Sequence, residues 1–442
     1  MRVLWVCNRC LPVVAAELKM DAGNKEGWLA GLSERILEEK NEELELGVCF
    51  PASKDMAQWQ GKFALEAYAF YEDVSKPELY PEHLEERMRE IVEDFKPDLV
   101  HIFGTEFPHT LAMVKAFNRP ERTLIGIQGI CTLYADAYLT GIPEKIAKRS
   151  TLRDMLKSDN IMEQQKKFYK RGMFEQKALS LTCNVTGRTD FDREYSYKCN
   201  EHVNYYFMNE TLRSNFYRGS WTIKDCVRHS IFVSQGDYPI KGLHFLLQAF
   251  PDILAEYPDA KIYVAGNCIT GDEGFVKKLK IASYGKYLKE LMEKHGIQDK
   301  VIYLGNLNAE EMKEQFLKCN VFVSCSTMEN SPNSVGEAML LGVPVVASDV
   351  GGVSNLLTDM EEGILYDATN MKALCNAVLK IFDAYEYETP SKMRPLRVKE
   401  EEVTKVRAFP VKARERAYET HNPGKNYNRL LEIYHQICET EE

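Results

Sequence analysis

The stretch that decides the fold is residues 324–339, which read SCSTMENSPNSVGEAM. It follows a buried apolar strand over 321–324, and we expect a helix to begin at Pro332 with Ser331 as its N-cap. Gly342 ends this helix, and the apolar residues behind it begin another strand. The start of such a helix presents free backbone N–H groups and the positive end of a helix dipole, which together favour phosphate binding.

Two carboxylates lie on either side of this predicted helix start. Glu329 is on the loop before the helix and Glu337 is in its first turn, with seven residues between them. Glu337 can accept two hydrogen bonds from the vicinal hydroxyls of a ribose, and Glu329 can face the hydroxyls of a sugar. A diphosphate flanked in this way is typical of a nucleotide-sugar site. The alternative is that Glu329 is a solvated loop charge and that Glu337 only complements the helix dipole.

Outward from this stretch, buried apolar strands alternate with amphipathic helices along most of the chain. The strands fall into two series, predicted over 3–6, 99–103 and 124–127, and over 231–233, 262–265, 301–304, 321–324 and 345–347. Such alternation predicts an α/β fold with parallel sheets that helices cover on both faces. We therefore predict two doubly wound, Rossmann-like domains, over 1–225 and 226–415. Because ligands bind beyond the carboxyl ends of such strands, we expect the site in a cleft between the domains.

The composition narrows the class of protein. The chain has 442 residues and a net charge of −10, from 56 basic and 66 acidic residues, which argues against a main role in nucleic-acid binding. No apolar run is long enough to cross a bilayer or to act as a signal peptide, so we expect a cytoplasmic protein with reduced cysteines. Cys7 and Cys10 form a C-x-x-C pair, but the second pair that a zinc site needs is missing. We predict no metal site.

Residues 143–180 are helix-like and interrupt the alternation. They contain ten cations, namely Lys145, Lys148, Arg149, Arg153, Lys157, Lys166, Lys167, Lys170, Arg171 and Lys177. Two interpretations stay open. The segment is either a solvated helix surface or a patch that contacts an anionic membrane or a phosphate-bearing acceptor.

Residues 232–242, FVSQGDYPIKG, open the second domain. Lys241 lies there between a strand and a helix, where its ammonium can neutralise a diphosphate leaving group. In the first domain, His101 lies within a strand and is interpreted as a packed core histidine. His109 lies in a predicted loop at the carboxyl end of that strand, where it can face an acceptor.

Taken together, these motifs resemble the retaining glycosyltransferases of group 1, also called family 4, which have the two-domain GT-B fold. The characteristic sequence motif of the family is E-x7-E, and Glu329 and Glu337 match it. The resemblance covers nearly the whole chain and extends through four further runs, GEAM at 336–339, GVPVVA at 342–347, VGG at 350–352 and EGILY at 362–366. It also implies that a C-terminal helix over 416–442 crosses back to the first domain.

The resemblance implies a chemistry and a set of residues. A sugar would pass from a nucleoside diphosphate sugar to a glycan or lipid-linked acceptor with its anomeric configuration retained, without a bound metal or cofactor. Lys241 and Glu329 are the catalytic candidates. The donor-binding candidates are Glu337, Asn330, Ser331, Asn333, Ser334, Val335, Gln235, Gly27 and Leu307. The acceptor-side candidates are His109, Gln128 and Arg188.

Several positions depart from the family pattern. Gln235 stands where the family usually has an arginine, Gln128 where it often has a histidine, and Asn355 where it usually has a glutamate. Arg188 or Arg228 can replace the missing cation, although Arg188 can instead pair with a nearby aspartate. Two other functions therefore stay open, an epimerase acting on a nucleotide sugar and a non-catalytic scaffold of a glycan-assembly complex.

Overall fold

The computed structural model of the protein describes residues 1–20, 27–271, 280–386 and 399–439. The chain divides into two compact units. Unit 1 comprises residues 1–133, 166–213 and 421–442, and unit 2 comprises residues 134–165 and 214–420. Residues 21–26, 272–279, 387–398 and 440–442 of the predicted domains lie outside the described residues.

The described strands form one sheet in each unit. The strands of unit 1 are β1 (Arg2–Val6), β2 (Glu45–Ala52), β3 (Gln60–Lys62), β4 (Glu66–Tyr71), β5 (Leu99–Phe103), β6 (Thr123–Gly126), β7 (Asn184–Gly187) and β8 (Asn204–Phe207). The strands of unit 2 are β9 (Ser230–Val233), β10 (Lys261–Val264), β11 (Val301–Tyr303), β12 (Val321–Ser324), β13 (Val345–Ser348) and β14 (Ile364–Tyr366).

Helices connect most of these strands. The described α-helices are α1 (Pro12–Leu18), α2 (Gly27–Glu39), α3 (His83–Phe95), α4 (Pro108–Phe117), α5 (Cys131–Ala137), α6 (Glu144–Ala147), α7 (Leu152–Lys157), α8 (Ile161–Ser180), α9 (Asp190–Cys199), α10 (Leu243–Glu256), α11 (Ser283–His295), α12 (Ala309–Lys318), α13 (Asn333–Leu341), α14 (Val353–Leu356), α15 (Met371–Glu386), α16 (Glu400–Thr420) and α17 (Pro423–Glu439). Among them, no helix combines the length and the apolar character that crossing a bilayer requires.

The sheet of unit 1 runs in the order β3-β4-β2-β1-β5-β6-β7-β8, and only β3 is antiparallel to its neighbour. In β1, Val3 and Trp5 belong to one core cluster and Leu4 and Val6 to another. This division arises because successive side chains of a strand point to opposite faces of the sheet. Both faces are therefore buried, as the continuous apolar run in the sequence predicts.

The sheet of unit 2 is wholly parallel and runs in the order β11-β10-β9-β12-β13-β14. The chain builds from β9 towards one edge and then starts the other half beside β9, at β12. This is the strand order of doubly wound nucleotide-binding sheets, and its direction reverses between β9 and β12. The predicted α/β fold with parallel sheets is confirmed.

The unit boundaries differ from the predicted domain boundaries, and polar contacts join residues 134–165 to the rest of unit 2. Residues 134–165 group with that unit although the predicted first domain runs to residue 225. Three contacts attach them: His244 Nε2 with Thr140 O (3.1 Å), Arg149 Nη1 with Glu290 Oε2 (2.7 Å), and Ser283 N with Asp154 Oδ2 (2.9 Å). Contacts between residues so far apart in sequence leave no periodic pattern to detect.

The last helix, α17, lies in unit 1, to which the chain returns at residue 421 rather than at the predicted 416. Tyr434 of α17 is buried, and its hydroxyl accepts a hydrogen bond from Trp5 Nε1 at 2.8 Å and meets His101 Nδ1 at 2.8 Å. His101 is fully buried, as the interpretation of a packed core histidine requires. Burial lowers the pKa of its imidazole to about 3, so the ring is neutral at pH 7.

Three buried histidines should make the fold sensitive to acid. Burial lowers the pKa of His101 to about 3 and the pKa values of His244 and His421 to about 4, against about 6.5 in an unfolded chain. Because the folded-state pKa is depressed, the stabilising contribution is complete above pH 6.5 and is lost as the pH falls towards 4. Each histidine should remove on the order of 2 kcal/mol of unfolding free energy between pH 7.5 and pH 5.

Urea unfolding at the two pH values measures this loss, and His421→Gln serves as the internal reference. Its side-chain amide can still donate to Glu210 O, the partner of His421 Nδ1 at 2.8 Å, but it does not titrate. The variant should therefore lose less stability over the same interval than the native chain does. An unfolding midpoint that is the same at both pH values contradicts the prediction.

Candidate functional site

The point at which the strand order of unit 2 reverses brings two predicted residues together. Lys241 follows β9 and Glu329 follows β12, and these strands are neighbours in the sheet. Lys241 Nζ donates a hydrogen bond to Glu329 Oε1 at 2.6 Å. Ligands of doubly wound sheets bind at this position, beyond the carboxyl ends of the strands. The two catalytic candidates thus form one charged pair where the topology predicts a ligand.

A glycine allows the two loops to approach each other. After β9 the chain makes a single 3-10 turn over Pro239–Lys241, and Gly242 then takes the left-handed conformation with φ +68° before α10 begins. A Cβ at Gly242 would lie 1.7 Å from Cys325 O, on the loop that follows β12. Thr327 N donates to Ile240 O at 2.7 Å across the same contact. The backbone of one loop therefore fixes the backbone of the other.

Glu329 is a buried, partnered carboxylate. Its side chain is 7% exposed, and Oε1 also accepts a hydrogen bond from Ser326 Oγ at 2.7 Å. Its carbonyl oxygen accepts from Gly352 N at 3.1 Å, which ties the loop to the glycine turn after β13. The alternative that Glu329 is a solvated loop charge is therefore wrong.

The electrostatics keep Lys241 cationic. Burial by itself lowers the pKa of the Lys241 ammonium, but the neighbouring Glu329 carboxylate and Tyr238 hydroxyl outweigh it and raise the pKa above its usual range. Nζ also lies 5.7 Å from the centre of the Tyr238 ring. The Lys241 side chain as a whole is 19% exposed. A cation held in this way suits an anionic group such as a phosphate.

The helix beside the pair begins one residue later than predicted. Asn333 is the first residue of α13, and Pro332 is its N-cap, so the prediction of Ser331 as the N-cap is wrong. The reason is that Pro332 keeps an extended backbone with ψ 112°, outside the helical region. Val335 N donates to Pro332 O at 3.0 Å, so the N–H groups of Asn333 and Ser334 precede the first bond of the helix. Both residues are half-buried.

The remaining donor-side candidates of unit 2 lie at the same edge of its sheet. Glu337 is the fifth residue of α13 rather than part of its first turn, and its side chain is buried, as are Asn330 and Ser331. Gln235 follows β9 and Leu307 follows β11, and both are half-buried. The carboxyl ends of the strands thus position all of these candidates.

Two acceptor-side candidates of unit 1 share a carboxylate that the sequence analysis missed. Gln128 Nε2 donates to Glu210 Oε1 at 2.7 Å, and Arg188 Nη1 donates to Glu210 Oε2 at 2.6 Å. Arg188 therefore pairs with Glu210, whereas Asp192 accepts from the Arg188 backbone N–H at 2.9 Å. Glu210 lies three residues after the end of β8, so its position past a strand's carboxyl end is the signal that could have found it.

The prediction that His109 lies in a loop is wrong, because His109 is the second residue of α4. Pro108 begins this helix, because its fixed φ suits the first helical position. The His109 side chain is fully buried, with Nδ1 at 2.7 Å from Glu72 Oε2 and Nε2 at 3.0 Å from Asn8 Oδ1. Its ring therefore makes contacts inside unit 1.

Gly27, a further donor-binding candidate, is the first residue of α2 in unit 1. A Cβ there would lie 2.1 Å from Arg213 Cγ, so the Arg213 side chain covers this end of the helix. The absence of a side chain at residue 27 thus allows the close approach of Arg213.

The chain is similar to several known proteins. Residues 215–395 match the family model of glycosyl transferases group 1. An uncharacterized glycosyltransferase of Methanocaldococcus jannaschii is 30% identical over 148 residues, 34% of each chain. The alpha-monoglucosyldiacylglycerol synthase of Streptococcus pneumoniae is 29% identical over 149 residues, 34% of this chain and 30% of the relative. The alignments thus span about a third of these relatives' length.

Solved structures extend the likeness to the whole chain. Sucrose-phosphate synthase from Thermosynechococcus elongatus has a TM-score of 0.68 at 15% identity and covers 100% of both chains. Anabaena HepE, solved in complex with UDP-glucose, has a TM-score of 0.61 at 14% identity and covers 99% of this chain and 100% of that one. The fold is that of the GT-B glycosyltransferases, as predicted. Within this fold class, residues 215–395 are similar to the group 1 glycosyl transferases.

The close approach at Gly242 can be separated from simple backbone strain. Gly296, at the end of α11, has nearly the same conformation, with φ +65°, but has no atom within 4 Å of the Cβ position. Gly296→Ala should lower the unfolding free energy by about 1 kcal/mol, the cost of a left-handed residue. Gly242→Ala should cost on the order of 3 kcal/mol or more, because it also forces two loops apart. Urea unfolding followed by circular dichroism compares them, and equal losses contradict the close-approach account.

Proposed function

We propose that this protein is a retaining glycosyltransferase that moves a sugar from a nucleoside diphosphate sugar to a hydroxyl of a glycan or lipid-linked acceptor. The observation that carries the proposal is the Lys241–Glu329 pair beside the start of α13, at the reversal of the strand order of unit 2. A cation, the N–H groups at the start of a helix and carboxylates at one strand edge match the parts of a nucleotide sugar.

The diphosphate is the part of the donor on which catalysis depends. Negative charge develops on it as the sugar leaves, so groups aimed at that charge lower the barrier. Lys241 has three N–H donors, of which Glu329 and Tyr238 take two, and the third can donate to a phosphate oxygen. The N–H groups of Asn333 and Ser334 add the positive end of α13. This set of donors needs no bound metal.

The carboxylates suit the two sugar ends of the donor. Glu329, with Asn330 and Ser331 behind it in the loop, holds the hydroxyls of the transferred sugar, and Glu337 accepts hydrogen bonds from the ribose. Leu307 and Gln235 complete the donor side. The complex of HepE with UDP-glucose supports a nucleotide-sugar donor for a chain of this fold. Retention follows if the leaving group departs ahead of attack on the same face, which requires no protein nucleophile.

The acceptor, the location and the unit 1 residues complete the proposal. The names of two relatives, an alpha-monoglucosyldiacylglycerol synthase and a lipopolysaccharide core biosynthesis mannosyltransferase, support a lipid or glycan acceptor. We assign the acceptor side to Gln128, Arg188 and His109, and the donor side of unit 1 to Gly27. We place the protein in the cytoplasm with a peripheral contact to an anionic membrane, for which residues 143–180 supply the cations.

A thermal-shift panel of nucleotides and nucleotide sugars identifies the donor. A ligand that binds only the folded state stabilises it by about 2.7 kcal/mol at one hundred times its Kd. We expect one nucleoside diphosphate and its sugar to raise the melting midpoint. A panel without any shift favours the scaffold function, and an epimerised nucleotide sugar after incubation without acceptor favours the epimerase.

Once the donor is identified, the contribution of Lys241 to the turnover of sugar transfer can be measured. Lys241→Ala should lower the turnover of sugar transfer on the order of 10²-fold, because it removes one stabilising contact to the leaving diphosphate. Lys380→Ala is the matched control, since Lys380 Nζ also donates to a carboxylate, Glu402 Oε1 at 2.7 Å, but lies on α15. The control should retain native turnover. Equal turnover in both variants would show that Lys241 has no role in the mechanism. Retention is tested separately, by NMR of the anomeric proton of the product.

A further inference from the structure

Helix α7, Leu152–Lys157, turns its apolar side chains outward. The exposed fractions are 58% for Leu152, 61% for Met155 and 88% for Leu156. These positions are spaced i, i+3 and i+4, so the three side chains lie on one face of the helix. Spacing of this kind usually marks the face that a helix buries in the core.

The opposite face of α7 is polar and attaches the helix to unit 2. Asp154 is buried, forms a capping box with Thr151, and accepts a hydrogen bond from Ser283 N at 2.9 Å. Arg153 Nη1 lies 3.1 Å from Asp159 Oδ2. The helix is therefore held by hydrogen bonds and ion pairs on its inner side, which leaves its three large apolar side chains free to contact something else.

The surroundings of this face are basic. Residues 141–160 contain five cations and three acids, a net charge of +2 in a chain whose total is −10. Lys145, Lys148 and Lys157 are exposed, and the one fully exposed acid of the segment, Glu144, pairs with Lys148. Of the other two acids, Asp154 is buried and Asp159 pairs with Arg153. Arg149 pairs with Glu290 of α11, so Lys145 and Lys157 supply the remaining positive charge of residues 141–160.

We propose that the α7 patch, defined as Leu152, Met155 and Leu156 with Lys145, Lys148 and Lys157, is a docking surface for an anionic lipid bilayer. The apolar side chains enter the boundary between headgroups and acyl chains, and the lysine ammonium groups stay at the level of the anionic headgroups. Charge selects this occupant over a second copy of the chain. A two-fold interface would place the same patch on both subunits and bring the lysines of each against those of the other.

The proposal rests on the membrane contact put forward under the proposed function but not on sugar transfer, so the vesicle assay contains no donor. Vesicles of phosphatidylcholine with half phosphatidylglycerol, and vesicles of phosphatidylcholine alone, are floated with the purified full-length protein at low salt. We expect the native protein to bind the anionic vesicles and to bind the neutral ones weakly. The triple variant Leu152→Ser, Met155→Ser and Leu156→Ser should bind the anionic vesicles at least about tenfold more weakly.

A matched control distinguishes the α7 patch from general loss of apolar surface. Val74, Val227 and Val411 are 55%, 50% and 60% exposed and lie outside the patch, so their combined change to serine removes exposed apolar side chains elsewhere. This control should bind vesicles as the native protein does. Because all six positions are exposed, neither triple variant should shift the melting midpoint, and the donor-induced thermal shift should stay native in both.

The charge is tested by Lys145→Gln with Lys157→Gln. This double variant should lose binding to anionic vesicles and show a smaller decrease with added salt, without change on neutral vesicles. The proposal is overturned if the native protein does not bind anionic vesicles. It is also overturned if the α7 patch triple variant binds them as well as the native protein does. A native dimer in sedimentation that the patch triple variant abolishes also overturns it and assigns the face to self-association. Lys241→Ala should bind vesicles normally, so failure of the docking surface and failure of the transfer mechanism are distinguishable.

Discussion

The site of unit 2 depends on the contact between Gly242 and the carbonyl of Cys325. This contact lets the loop after β9 press against the loop after β12, and so places Lys241 next to Glu329. A buried charge that loses its partner is strongly destabilising, so the pair should stabilise the positions of both loops. The Lys241 side chain remains 19% exposed, and its ammonium stays cationic. The close approach of Gly242 to Cys325 O thus fixes the two loops and also positions the Lys241 ammonium, which can bind an anion.

The two units place polar residues at equivalent points of their sheets but use them differently. In unit 1, Asn8 follows β1 and His109 follows β5, and these adjacent strands begin the two halves of the sheet. There the imidazole is fully buried between an amide and a carboxylate. In unit 2 the corresponding loops carry an ion pair whose lysine side chain is 19% exposed. Similar topology therefore yields a sealed polar contact in one unit and an accessible charge in the other.

The sequence is informative where a pattern is local. Buried apolar runs predict the strands, because a parallel strand covered on both faces must be continuously apolar, and Gly342 ends α13 as its left-handed conformation requires. The E-x7-E spacing locates Glu329 and Glu337 on one loop and helix. The pairing of Lys241 with Glu329 is not legible, because it joins residues 88 positions apart through a backbone contact. The Glu210 carboxylate is missed for the same reason.

Helix α7 shows why periodicity alone cannot say which face of a helix is buried. Its spacing of Leu152, Met155 and Leu156 is that of a core-facing stripe, and a reading by hydrophobicity would turn it inward. Asp154 gives the helix the opposite orientation. Its carboxylate caps α7 and also accepts a hydrogen bond from Ser283 N at the start of α11, so it must lie on the inner side. The orientation is set by two specific hydrogen bonds, and the apolar face is exposed as their consequence. An apolar surface kept in water by polar anchors is the arrangement expected of a contact made with something outside the fold.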